Sequence, residues 1–257
     1  MLYGLTTMID SIREYWNKNI HDIEIAKYPI GTREFFDELE TYHFKKLDYL
    51  TRIVSFNGYK GKRLLEIGCG LGIDLFRFAK GGAKVYGIDV AENAIKLAEK
   101  NFELHGVNGE LHIMNGEDIK FNDNSFDVVY AHGVLAYTEN PEKMISEIHR
   151  VLKTGGEAIL MMYNRNSWLF ILAKLFGVKL EREDAPIFNT YSINEFRKML
   201  RSFSHVDIII ERLPVRTRIH KGMKATFYNS LFVPVFNMIP RSIVRLFGAH
   251  IIAKCIK

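Results

Sequence analysis

The sequence predicts an α/β fold: a doubly wound, mostly parallel sheet with helices on both faces and a helical cap in front of it. Three observations carry that reading. From about residue 62, short apolar runs alternate with helical stretches of roughly ten residues or more. A glycine-rich turn, "LLEIGCGLG" (64–72), closes the first apolar run. Glycines then stop the helices, at Gly81–Gly82, Gly106 and Gly155–Gly156.

Residues 1–60 read mostly as helix, with Tyr15, Trp16, Phe35, Phe36, Tyr42, Phe44 and Tyr49 among them and no strand pattern. They are expected either to form a lid over the sheet edge or to pack on it as an accessory layer. "KRLLEIG" is the first strand, "IDLFRFAKG" the helix after it and "KVYGIDV" the second strand. "AENAIKLAEKNFELHG" has apolar residues at 91, 94, 95, 98 and 102, one face of a helix. "ELHIMNG" and "FDVVYAH" are two more strands. "PEKMISEIHRVLKTGG" opens with a proline suited to a first helical turn and is expected to run to Gly155–Gly156. "EAILMMY" is the fifth strand. "SINEFRKMLRSF" starts with Ser192 and Glu195 at capping-box spacing, and "HVDIIIERL" follows as a strand. Right-handed crossovers put every strand-to-helix turn on the carboxyl edge of such a sheet, where ligands bind.

Composition narrows the class. The 257 residues are 47% hydrophobic and 25% charged, ordinary for a globular protein with a sizeable core. Cys69 and Cys255 give no disulfide framework and no metal knuckle, so a reduced, cytoplasmic setting is expected, without a metal. The start has no signal-peptide pattern, and "WLFILAKLFGV" (168–178) is too short to span a bilayer. Charge is uneven: residues 201–257 hold ten Lys/Arg against two acids, while the first 200 hold 25 against 28. A basic end suits an anionic substrate, a membrane surface, nucleic acid or simply a solvated face.

Glycine permits positive φ and close approach to the backbone, and the amides at such a turn favour a polar or anionic group. Counted from Gly68, a dinucleotide fingerprint needs its third glycine at position 73, which is Ile73; the chain has G-x-G-x-G instead. That spacing speaks against NAD. Asp89 ends the second strand, where an acid can accept hydrogen bonds from both ribose hydroxyls.

"LLEIGCGLG" resembles motif I of the class I S-adenosylmethionine-dependent methyltransferases, and "VYGIDV" resembles their second-strand acid. "NGEDIKFNDNSFDVVYAHGVL" with "EIHRVLKTGGEAIL" resembles the rest of the core of the small-molecule branch known as type 11. The match covers roughly residues 60–162. It implies a Rossmann-like seven-stranded domain over 61–257 behind the cap of 1–60, with an insertion at 163–191 and an acceptor-side elaboration at 213–248. That layout makes "AHIIAKCIK" the last strand.

The resemblance also implies residue roles. Glu66 would orient the glycine loop and the amino group of the methionine moiety of S-adenosylmethionine. Gly68, Gly70 and Gly72 would let that moiety lie on the backbone, with Cys69 a small turn residue between them. Asp89 would bind the ribose and Val90 would pack on adenine. Asn115, Gly116, Glu117 and Asp118 occupy the adenine turn, where Asn115 departs from the usual aspartate. His132 would border the methyl-donor sulfur.

His132 is the leading candidate for a general base or acceptor-positioning group, with Tyr137 and Tyr42 behind it; the alternative for His132 is a plain pocket-lining role. His43, His105, His112, His149, His205 and His220 are expected to be surface or packing residues. The acceptor is expected to be a small molecule or lipid. "NSLFVPVFNMIPRSIVRLFGAHIIAKCIK", with Arg241, Arg245, Lys254 and Lys257, could lie at a membrane interface or pack as a helix on the core. A nucleic-acid substrate is disfavoured, because "AHGVL" replaces the Asn/Asp-Pro-Pro-aromatic signature of base amino-group methyltransferases. A scaffold that keeps the cofactor pocket without turnover stays open. A Tyr-x-x-x-Lys in "YHFKK" (42–46) precedes the glycine turn, the wrong order for a short-chain reductase.

Overall fold

The computed structural model describes residues 7–20, 22–177, 180, 182–214, 222–240 and 247–257. Two helices come first. α1 (Met8–Lys18) starts from a capping box of Thr7 and Asp10, and α2 (Arg33–Lys46) is capped by the Thr32 hydroxyl. A single turn, α3 (Leu50–Ile53), leads to the alternating region. There β1 (Arg63–Ile67), α4 (Ile73–Lys80), β2 (Lys84–Asp89), α5 (Glu92–His105), β3 (Glu110–Ile113) and β4 (Phe126–Ala131) follow one another. Next come α6 (Pro141–Val151), β5 (Leu152–Tyr163), α7 (Trp168–Phe176), α8 (Ile193–Met199) and β6 (His205–Glu211). A helical run made of α9 (Met223–Phe227), a π turn (Tyr228–Phe232) and α10 (Val233–Met238) precedes the last strand, β7 (His250–Ile256).

The seven strands form one sheet in the order β3-β2-β1-β4-β5-β7-β6. β1 to β5 pair in parallel, and β7 runs against both β5 and β6. β7 lies between these two neighbours, and its run Ile251–Ala253 with Cys255 is buried, as suits a strand covered on both faces. Chain order reverses between β1 and β4, so the crevice at their carboxyl ends is the topological switch point.

One boundary differs from the sequence expectation. The helix from Pro141 stops at Val151 rather than at the glycine pair. Leu152 is already extended and pairs with Phe126, and the register shifts before Glu157 pairs with Val128. Gly155, at φ +74°, lies in that irregular stretch. Pairing with β4 outcompetes the helical periodicity over these residues.

Side chains alternate across the strands and feed a core on each face. Leu65, Ile67, Val129 and Leu160 pack with α6 and α8. Leu64, Val128, Tyr130 and Ile159 pack with α4, α5 and the stretch Phe44 to Phe56. A smaller cluster joins Phe35, Phe36 and Leu39 of α2 to Leu71, the residue after Gly70. The glycine turn is thereby clamped from outside by an N-terminal helix.

Candidate active site

β1 ends at Ile67, and the chain bends over the neighbouring strand. Gly68 and Cys69 donate their backbone N–H groups to the Ile88 carbonyl, at 2.8 and 3.1 Å. Asp89, at the end of β2, accepts the Gly70 N–H on Oδ2 and the Ala91 N–H on Oδ1, each at 2.9 Å. One carboxylate thus staples the turn to the start of α5. Burial raises the Asp89 carboxyl above its ordinary value, partly offset by the backbone donors of Ala91, Gly70 and Val90.

Two glycines of the turn have different uses. A Cβ on Gly70 would meet nothing within 4 Å, and the residue opens on a cavity. A Cβ on Gly72 would sit 3.2 Å from Phe102 and 3.3 Å from Ala98, so Gly72 serves close packing of α4 on α5. Both have positive φ, +52° and +70°.

The cavity measures about 1450 Å³ and runs along the switch point. At its polar end the wall holds Glu66, Gly68, Cys69, Gly70, Asp89, Val90, Asn115, Gly116 and His132. Tyr42 and Tyr137 line it too. The structure does not bring Gly72, Glu117 or Asp118 to that wall. Glu117 turns away to accept the Thr138 hydroxyl and, at 2.9 Å, the Asn140 N–H; Asp118 is exposed and paired with Lys120. Asn115 caps the same turn by accepting the Glu117 N–H at 2.9 Å. The Cys69 thiol is held well above its usual range by burial and by Asp89 and Glu66, so it is a buried neutral group.

Glu66 is 4% exposed, and its Oε2 is buried without a hydrogen-bond partner. Burial, then Asp74 and Asp89, pushes its carboxyl well above the ordinary 4.5. A buried oxygen without a partner, beside an open backbone, marks a place for a donor or a cation.

Beside it lies a network of rings. The Tyr49 hydroxyl is 2.8 Å from His132 Nε2 and 2.5 Å from His250 Nδ1. Asp74 accepts the Tyr130 hydroxyl at 3.0 Å and lies 2.9 Å from His43 Nε2. Burial raises the Asp74 carboxyl, but His43, His132 and Tyr130 outweigh it and the net direction is down. His250 is pushed well below 6.5 by burial, then by Arg212, His132 and Lys46, and is therefore neutral.

The other end of the cavity is aromatic. Trp16 of α1 meets Tyr137 edge-on at 5.0 Å, and Tyr137 stacks on Phe188 at 5.4 Å. Trp168 faces Tyr228, Phe232 and Phe236 at 6.2–6.3 Å and donates its Nε1–H to the Arg212 carbonyl at 2.9 Å.

A family described as "Methyltransferase domain" matches residues 65–160, the span that contains the turn, Asp89 and His132. An uncharacterized protein of Methanocaldococcus jannaschii is 35% identical over 178 residues, 68% of this chain and 78% of that one. A protein named ubiquinone biosynthesis O-methyltransferase, from Alkalilimnicola ehrlichii, is 29% identical over 174 residues, 64% of this chain and 70% of its own. The chain belongs to the class I S-adenosylmethionine-dependent methyltransferases. Solved folds agree. Magnesium protoporphyrin IX methyltransferase from Synechocystis PCC 6803, with bound SAH, superposes at TM-score 0.61, covering 96% of this chain and 98% of that one at 17% identity. A SAM-dependent methyltransferase from Thermotoga maritima gives TM-score 0.61 at 17% identity, covering 96% and 99%.

The residues of this methyltransferase fit the cofactor. Glu66 Oε2 lacks a partner that an ammonium would supply, Gly70 leaves backbone open, and Asp89 faces the cavity from the end of β2. Among the described residues no group of three or more His, Cys, Asp or Glu could hold a metal.

Tyr49, Asp74, Tyr130 and His250 are wall or network groups that the sequence does not announce. His43, expected at the surface or in packing, lines the cavity and meets Asp74. Tyr49 and His250 are separated by 201 positions, so no local pattern announces their contact. His220, Arg241 and Arg245 lie outside the described residues.

Proposed function

We propose that this methyltransferase methylates an oxygen of a small, largely apolar acceptor, a ring-bearing or lipid-like hydroxyl compound. The observation that carries the reading is one continuous cavity, polar at the glycine turn and aromatic at its far end, with His132 on its wall. Its volume, about 1450 Å³, exceeds the ~300–1000 Å³ of a single small-ligand site, leaving room for acceptor beside cofactor. The relatives named as ubiquinone biosynthesis O-methyltransferases support an acceptor of this kind.

Glu66, Gly68, Gly70, Asp89 and Val90 would hold S-adenosylmethionine, with Asn115 and Gly116 at the adenine side. Bound there, it supplies an electrophilic methyl group on a sulfonium. His132 then receives the acceptor's hydroxyl proton. A tyrosine hydroxyl has one proton to give, so Tyr49 donates to one imidazole and accepts from the other. Donation to the neutral His250 Nδ1 leaves Tyr49 accepting from His132 Nε2–H, which makes Nδ1 the acceptor nitrogen of His132. Tyr49 is thus a positioning residue. α1 acts as a lid: Asn17 bonds to Asn93 of α5, and the Tyr15 hydroxyl donates to Asp184 at 2.9 Å.

The test is incubation with methyl-labelled cofactor and a panel of phenols, lipid hydroxyls, matched amines and nucleic acid. Label in an organic-phase hydroxyl acceptor is expected; label confined to amines or nucleic acid, or none despite tight SAH binding, sinks the proposal. His132→Gln should lower kcat by about 10²–10⁴-fold and leave SAH affinity nearly unchanged. Tyr49→Phe should shift the acid limb of the pH–rate profile, which loss of packing alone would not do.

A further inference from the structure

Large apolar side chains face solvent around the aromatic end. Along the helical run from Met223 to Met238, Met223, Phe227, Leu231, Val235 and Met238 recur every three or four residues and are half or more exposed, Met223 by 90% and Met238 by 82%. On α7, Ile171 and Leu175 repeat the pattern, Leu175 at 71% exposure. The inner row of the same run, Tyr228, Phe232 and Phe236, stacks around Trp168. Ile171 and Leu175 of α7 and Leu231, Val235 and Met238 of the run lie off the cavity wall and face water, while Met223 and Phe227 are exposed and also border the cavity. Contiguous exposure on this scale marks an interaction surface.

Charge selects the partner. Residues 164–180 contain three Lys/Arg and no Asp or Glu, and residues 212–248 contain seven and none. Elsewhere the acids are in excess: Asp and Glu total 30 in the chain, all of them outside these two stretches. An apolar row set in acid-free, basic sequence suits an anionic lipid surface, where buried apolar area and headgroup attraction add. No helix among the described residues is long and apolar enough to cross a bilayer, so the run would lie in the interface rather than span it.

We propose that this face docks on an anionic membrane surface, with the aliphatic rows of α7 and of the run Met223–Met238 set into the headgroup–acyl boundary. The aromatic end of the cavity then opens toward the lipid phase, and an apolar acceptor enters without crossing water; this last point rests on the acceptor reading above. A second copy of the chain is the competing occupant, and the absence of any Asp or Glu from both stretches, which would have to pair with their like, disfavours it.

The full-length protein is sedimented with mixed phosphatidylglycerol–phosphatidylcholine vesicles and with phosphatidylcholine alone. Binding about tenfold stronger to the anionic vesicles is expected, weakening as salt rises. Leu175, Leu231 and Val235 do not line the cavity, so the variant L175E/L231E/V235E should lose vesicle binding by about tenfold or more. Its SAH affinity, by calorimetry, and its Tm should stay unchanged. Docking is overturned by absence of binding to anionic vesicles, by binding indifferent to the triple substitution, or by a wild-type dimer that the variant splits. Vesicle binding together with label confined to water-soluble amines would overturn the acceptor reading and leave docking intact.

Discussion

At the polar end of the cavity the wall is built from backbone amides, or side chains within a few residues of a strand end: Glu66, Gly70, Asp89, Asn115, His132. At the aromatic end the rings come from α1, the Leu135–Tyr137 turn, α7, the segment before α8 and the run from Met223. Hydrogen bonds of 2.8–3.1 Å hold the glycine turn in place on Ile88 and Asp89. Ring stacking holds most of the other end. A backbone-built site is pre-organised, so removing one group should cause a discrete loss; a stacked site repacks, and its losses should be graded.

The sharpest break of this contrast is Asp89→Ala. It should cost about 100-fold in SAH affinity by calorimetry, near 2.7 kcal/mol, with a far smaller loss of thermal stability. Equal losses would make Asp89 a structural staple alone.

Glu66→Gln comes next, at about tenfold in SAH affinity near neutral pH. Its raised carboxyl also gives a sign to follow. Above pH 4.5 the unfolded carboxyl ionises while the buried one keeps its proton, so the Glu66 contribution to stability falls as pH rises through that window. With the proposed ammonium on Glu66 Oε2, cofactor binding draws on the ionised form and should tighten over the same range. The glutamine variant should lose both slopes, seen by Tm and calorimetry across pH.

His250 should produce an effect of the opposite sign. Its folded form resists protonation, so stability is full above pH 6.5 and falls as the unfolded imidazole takes up a proton below it. The slope is at most about 1.4 kcal/mol per pH unit, and a His250→Gln variant should flatten it in thermal melts. Trp16→Ala should be the mildest: a several-fold rise in acceptor KM with SAH affinity unmoved sharpens the division, and equal loss of both erases it.

Most of the fold was legible because alternation of short apolar runs and helical faces is a local property of the chain. The turn 68–72 and Asp89 were legible because their geometry demands glycine at positive φ and an acid one strand away. The end of α6 was misjudged because Leu152 obeys a strand partner, Phe126, rather than its own neighbours. Gly72 and Glu117 stood in the right motif, yet packing on α5 and capping of the next loop claimed them, while Asp118 pairs with Lys120 at the surface. Tyr49, Asp74, Tyr130 and His250 carried no signal, since single aromatic and titratable residues recur everywhere along the chain.

By itself, then, the sequence determined the alternation of elements, the glycine bend and the acid after β2, which follow from short-range sterics and side-chain periodicity. Only the tertiary structure decided that Tyr49 joins His132 to His250, and that rings from widely separated segments close one chamber. Contacts between residues fifty or more positions apart depend on how the sheet and its covering helices are assembled, and no local propensity encodes them.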